Sequence, residues 1–355
     1  MLLLKKNYFY HLYIFFLVLV LFFSEFSTNI VSSKNYNILD IKIEEKYDIN
    51  FNKSKVINKA FEEAFKVMIY KLIESKDRSK INNIPLKDKK NLIENFSISN
   101  EQFINNNYIS NFNVQFSKRK ILNYLNNKDI IPSSPKEIDI LLIPVLINTD
   151  LNELYYLNQN VFYKNWSNVT NNYYLINYIL PNEDIEDINF IKKNIDNIEE
   201  YNFNEIISKY EIEDYIILIL FQKNNSFNAL MKSNMSNEII ISNKKFEWNE
   251  SQSVENIINN LKLEFENQWK KLNIINVSIK LPITLSINAK SYKLIKKLET
   301  KLYKLDLVSS FYIDSINSNK LIYKIIYNST PDKFINEFSN GNIKLNTNES
   351  IWRIE

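Results

Sequence analysis

The sequence predicts a mixed α/β amino-terminal domain followed by a small α+β carboxy-terminal domain, and three observations carry that prediction. Residues 138–147 (IDILLIPVLI) and 215–221 (YIILILF) are nearly continuous apolar runs of strand length, as expected of strands covered on both faces. Between residues 54 and 75, Ile57, Ala60, Phe61, Ala64, Phe65, Met68 and Leu72 recur at three- and four-residue spacing, so one helical stripe faces a core. Residues 276–355 order their patterns as β-α-β-β-α-β.

Taken in order, residues 38–48 alternate, Leu39, Ile41 and Ile43 against Asp40, Lys42 and Glu44, and predict a half-buried strand with the apolar set inward. Ser54 is placed to cap the helix that follows. A short helix is expected near 86–95. A second alternating strand over 108–116 buries Phe112, Val114 and Phe116, and Ser117 caps the helix KRKILNYLNN. The two-proline turn 129–137 leads into the strand 138–147, and residues 148–172 are polar and aromatic. A strand over 173–180 stops at Pro181, and helical patterns at 185–195 and 203–210 precede the strand 215–221. Short strands at 227–232, 237–242 and 245–248 read as a meander. A helix capped by Ser253 runs to about Leu272 with Ile258, Leu261, Phe265 and Trp269 on one side. Trp248, Trp269 and Trp352 read as core residues.

In the terminal unit a strand over 276–287, containing Val277, precedes a helix over 289–304. Strands 307–316 and 320–328 fold around Asn317-Ser318-Asn319. Thr330 and Pro331 start another helix, Gly341 supplies a left-handed terminator, and a strand runs out through Ile351 and Ile354. This is the order of a ferredoxin-like split sandwich, an order that carries no function by itself. The expected divisions are a leader over 1–33, a mixed α/β domain over 34–250, a connecting helix over 251–275 and the ferredoxin-like domain over 276–355.

The leader has Lys5 and Lys6 ahead of an uninterrupted apolar run, 12–23, closed by Ser24 and Glu25, which is the pattern of a secretory signal. Val31-Ser32-Ser33 offers a place for cleavage. As a helix the run spans about 18 Å, short of the roughly 30 Å hydrocarbon core. A retained anchor, lengthened by Tyr8, Phe9 and Tyr10, is the alternative.

Composition excludes several chemistries. Asn, Ile and Lys number 57, 55 and 41 among 355 residues, whereas Cys is absent and His and Gly occur once each, at His11 and Gly341. Removal of the leader takes His11 with it, so Ser-His-Asp triads, thiol nucleophiles and thiolate–imidazole zinc sites are excluded. One glycine cannot build a phosphate-cradling loop, and no cofactor is expected. The net charge of +3, with three arginines, gives no electrostatic grip on nucleic acid.

Two clusters remain as candidates. Glu183, Asp184, Glu186 and Asp187 follow a predicted strand and open a predicted helix. They could hold a hard cation or supply a carboxylate pair, or simply complement a helix N-terminus. Tyr155, Tyr156, Phe162, Tyr163 and Trp166, with Tyr173 and Tyr174, could form a flat binding surface or cover the edge of a core. The Lys118, Arg119 and Lys120 cluster reads as a solvated helix face.

Several short motifs resemble a bacterial family known only as domain-of-unknown-function family 2066. They are Ala60, Phe61, Ala64 and Leu72 on the first helix, Val114-Gln115-Phe116, Ile143-Pro144-Val145, Trp166, and the run from Leu180 to Asp187. The likeness covers about residues 38–230, and Asn182 stands where the family has glycine. It implies an exported protein of the envelope of a Gram-negative-type bacterium, in the periplasm or on the inner membrane, and it brings no catalytic residue.

The function expected is thus a non-catalytic binding or assembly module whose partner is an envelope component, with membrane contact through the leader if it is retained. A carboxylate-dependent hydrolase or carbohydrate-active enzyme, or a membrane-tethered scaffold, are the alternatives.

Overall fold

The structure, a computed structural model, describes residues 36–247, 253–276, 278–339 and 343–354. The expected leader with His11, the predicted core residue Trp248, Val277 and the predicted terminator Gly341 lie outside the described residues. The described residues are mixed α/β, built on three sheets.

The first sheet is antiparallel, in the order β1-β3-β2, from β1 (Asn37–Lys46), β2 (Ile93–Ile104) and β3 (Asn107–Phe116). Helix α1 (Lys53–Leu72) lays its stripe, Val56, Ala60, Phe61, Ala64, Phe65, Met68 and Leu72, into a core with Ile41, Ile43, Phe112 and Val114. Its cap is Asn52, whose side chain accepts from the Ser54 N–H, rather than Ser54 itself. Helices α2 (Leu86–Asn91) and α3 (Lys118–Asn126) flank this unit. Asn105 and Asn106, both at positive φ (49° and 61°), make the tight β2–β3 turn. Asn tolerates the left-handed region better than other residues with a Cβ, and here it takes a place that glycine usually fills.

Strand β1 departs from the alternation expected of it. Asp40 takes φ 56°, the register with β3 shifts between Ile38 and Ile41, and the Asp40 N–H is held by Asn113 Oδ1 at 2.9 Å. This bulge places Leu39 and Asp40 outward in succession, so Ile38, Ile41 and Ile43 are buried while Leu39 is 59% exposed.

The second sheet is centred on β4 (Ile138–Asn148), which pairs parallel with β7 (Tyr215–Lys223) on one side. On its other side it meets β5 (Glu153–Tyr156), antiparallel, and β6 (Ile176–Ile179), parallel. Antiparallel β8 (Ser226–Met235) and β9 (Glu238–Glu247) complete the sheet, replacing the three short strands expected there. Both faces are covered, which explains the unbroken apolar runs. Ile140, Leu142 and Leu146 pack beneath α4 (Val161–Trp166) and α7 (Val254–Leu272). Leu141, Ile143, Val145 and Ile147 pack beneath α5 (Ile185–Lys193) and α6 (Asn204–Ile207). Helix α7, expected as a connector, buries Ile257, Ile258, Leu261, Phe265 and Trp269 in the second core.

The third sheet is ordered β11-β12-β10-β14-β13. It contains β10 (Leu281–Asn288), β11 (Val308–Ile316), β12 (Lys320–Tyr327), β13 (Leu345–Asn346) and β14 (Trp352–Ile354). Helices α8 (Tyr292–Lys304) and α9 (Pro331–Ser339) pack Leu298, Leu302, Phe334 and Phe338 into one core with Leu285, Tyr323 and Ile325. The short closing strand β14 runs parallel to β10. Trp352 is half-buried against this core.

Candidate functional site

A concavity of about 860 Å³ runs along β1, which is an edge strand of its sheet among the described residues. Residues 37–42 form one wall, Glu63, Val67 and Lys71 of α1 the opposite one, and residues 135–137 one end. Among the described residues β1 pairs with β3 alone, and an edge strand carries backbone donors and acceptors along its second side. The bulge at Asp40 turns Leu39 outward, where it lines the groove. The charges are balanced, with Lys42, Lys71 and Lys136 lining the groove beside Asp40, Glu63 and Glu137. Lys71 Nζ and Glu137 Oε1 pair at 3.0 Å across it. Such a groove offers main-chain hydrogen bonds and an apolar contact to an extended segment, without selecting strongly for its charge.

The acidic run is gathered around a lysine. Asp184 caps α5 by accepting from the Glu186 N–H, and its other oxygen meets Lys209 Nζ at 2.5 Å. Asp187, fully buried, meets the same ammonium at 2.7 Å, and Glu186 stands 3.8 Å away. The Lys209 hydrogen bond holds Asp184 below the usual carboxylate range. Burial pushes Asp187 upward, against the pull of Lys209. The two hydrogen bonds raise the Lys209 pKa in turn. Glu183 points elsewhere and accepts from Asn158 Nδ2. The run therefore ties the start of α5 to the segment after α6, with an ammonium already at its centre. Among the described residues no group of three or more acidic or histidine side chains is placed to hold a metal ion.

The aromatic set does not form one surface. Phe162 and Trp166 are buried on the α7 side of the second sheet, whereas Tyr156 is buried on the opposite side. Tyr155 packs partly against the first of these cores and Tyr163 against the second. Tyr155 donates to Glu153, and Tyr163 donates to the Pro181 carbonyl at 2.7 Å. Alternation along β5 and the position of α4 across the sheet separate rings that are close in sequence.

A row of buried charges on α7 was not anticipated. Lys262, Glu266 and Lys270 are 4%, 1% and 1% exposed. Glu266 Oε1 accepts from the Leu175 and Ile176 N–H groups at 2.8 and 2.9 Å, which holds the start of β6. Lys270 Nζ donates to the Tyr70 and Ile73 carbonyls at 2.5 and 3.0 Å, satisfying the end of α1 and joining the first two units. Lys262 Nζ donates to the Trp166 and Val169 carbonyls at 2.8 and 2.7 Å and lies over the Trp166 and Tyr178 rings. Burial lowers the pKa of both lysines to about 8 and raises that of Glu266. A signal was present in the sequence. Ile258, Lys262, Glu266 and Lys270 form an i+4 row beside the apolar row Ile257, Leu261, Phe265 and Trp269, too close to it to reach solvent freely.

No helix among the described residues is long and apolar enough to cross a membrane. No family model matches the chain, and no curated protein matches it.

Proposed function

We propose that this chain is an exported binding or assembly module of the bacterial cell envelope, without catalysis of its own, and that its partner adds an extended segment to the free edge of β1. The observation that carries the binding role is the outward Leu39 on β1, an edge strand among the described residues that walls an 860 Å³ groove. Strand addition uses main-chain bonds for affinity and side-chain contacts for specificity, and β1 offers both. Export to the periplasm or the inner-membrane surface of a Gram-negative-type bacterium rests on the apolar leader at 12–23 and on the resemblance to family 2066. The partner is then another envelope component. The strand order β11-β12-β10-β14 supports a ferredoxin-like ancestry for the terminal unit, with the last strand reversed.

The role is tested in cells with a photo-crosslinking residue at Lys42, and with the same residue at Ile239 on β9 as control. A specific adduct from Lys42, abolished by Leu39→Asp and absent from Ile239, is expected. Equal adducts from both positions, or an adduct that survives Leu39→Asp, would overturn the proposal. For export, a processed amino terminus in the periplasm or an intact one in the inner membrane is expected, and recovery from the cytoplasm alone contradicts it.

A further inference from the structure

A second cleft, of about 690 Å³, has Lys262 in its lining together with Trp166, Tyr174 and Tyr178. It adjoins the β1 groove, with which it shares Glu137. Lys262 gives two of its three ammonium protons to the Trp166 and Val169 carbonyls, and the third has no oxygen acceptor among the described residues. Two more donors beside it are unmet. Trp166 Nε1 and Tyr178 Oη are both buried and have no hydrogen-bond partner, although Trp166 is only 1% exposed. An indole N–H and an ammonium can only donate. Burial holds the Tyr178 phenol well above its ordinary pKa, so it stays protonated and able to donate as well. A buried donor without an acceptor is destabilising, and three around one cleft place that cost where an incoming oxygen could remove it.

The charge beside these donors is the Lys262 ammonium, which lies in the field of the buried Glu266 carboxylate. An ammonium favours an anionic oxygen over a neutral one, because charge-assisted hydrogen bonds are shorter and about twice as strong. Two carboxylates, Glu137 and Asp139, line the same cleft and disfavour a ligand that is anionic throughout; Glu137 also pairs with Lys71 at 3.0 Å, and Asp139 accepts from Asn177 Nδ2 at 2.8 Å. They favour a positive group beyond the carboxylate end. Ser167, Thr170 and Asn171 line the cleft between these extremes with groups suited to peptide-like amides.

We propose that this cleft binds a small amino-carboxylate zwitterion, with its carboxylate held by Lys262, Tyr178 and Trp166 and its ammonium toward Glu137 and Asp139. The site binds and does not react: Lys262 keeps both carbonyl bonds and adds a third.

Calorimetric titration of the full chain with triglycine and with triglycine amide tests this. Saturable binding of the free acid is expected, with the amide weaker by about tenfold or more, the effect of one hydrogen bond to a charged group. Tyr178→Phe should weaken the acid by a similar factor. Its unfolding midpoint should stay level or rise, because an unpaired buried hydroxyl is removed. Equal binding of acid and amide, no saturable binding of triglycine, or full binding by folded Tyr178→Phe would each overturn the proposal. The acid–amide comparison stands on the unmodified chain alone.

Discussion

Raising the pH from about 7.5 to about 9.5 should stabilise this protein, opposite to the trend expected from surface lysines that lose their ion pairs. Lys262 and Lys270 have an ordinary pKa of 10.5, and burial lowers both to about 8 in the folded chain. Within this window the unfolded chain holds protons that the folded chain has released. Stability then rises with pH wherever the unfolded state binds more protons. Integrating over the window gives about 2 kcal/mol for Lys270, which is nearly enclosed. Lys262 lines a cleft, and halving its share for screening leaves about 1 kcal/mol. Above roughly pH 10 the sign reverses, because burial holds Tyr156, Tyr323 and Tyr327 protonated in the folded chain after the unfolded chain has lost those protons. Urea unfolding at the two pH values measures the effect in the parent chain and in the Lys262→Met/Lys270→Met double variant. Over this window the parent should gain about 3 kcal/mol relative to the variant, whose own change comes from Lys118, Lys232 and Lys301, also lowered by burial, offset by the buried tyrosines. A parent that is equally or less stable at the higher pH, or a folded variant that rises as steeply, refutes the reasoning.

Three further outcomes follow from the same contacts. Glu266→Ala leaves the Leu175 and Ile176 N–H groups without their acceptor and should cost about 2–3 kcal/mol in chemical unfolding, whereas Glu266→Gln, which keeps an acceptor oxygen, should recover most of it. Phe265→Ala, at the centre of the second core, should lose about 3–5 kcal/mol by the same assay. Asp184→Ala removes the α5 cap and a Lys209 contact, so the unfolding midpoint should fall while crosslinking from Lys42 is unchanged.

Elements with one strong local signal were legible in the sequence. The α1 stripe shows as burial at the helical period, β4 and β7 as unbroken apolar runs, the Ser253 cap as a capping residue ahead of a helical stripe, and the β11–β12 hairpin as two strand patterns around Asn317-Ser318-Asn319. Strand β2 was not legible, because it is an edge with little burial on either face, and no alternation marks it. The short strand β5 lies in a segment that reads as polar and aromatic, and its pairing with β4 is what defines it. The candidate site was missed for a physical reason. Alternation alone turns Leu39 inward, and the left-handed Asp40, held by Asn113 seventy-three residues away, turns it out. A contact at that separation leaves no periodic trace. The aromatic segment misled for a similar reason, since nearness in sequence does not show that Tyr156 and Phe162 lie across a sheet from each other.

Amide hydrogen exchange along β1, with and without the captured partner, tests the central claim most directly. Strand addition predicts slowed exchange within residues 37–46 on binding, while the open edges at β2, β9 and β11 exchange as before. Protection confined to one of those other edges, with β1 unchanged, would contradict the account.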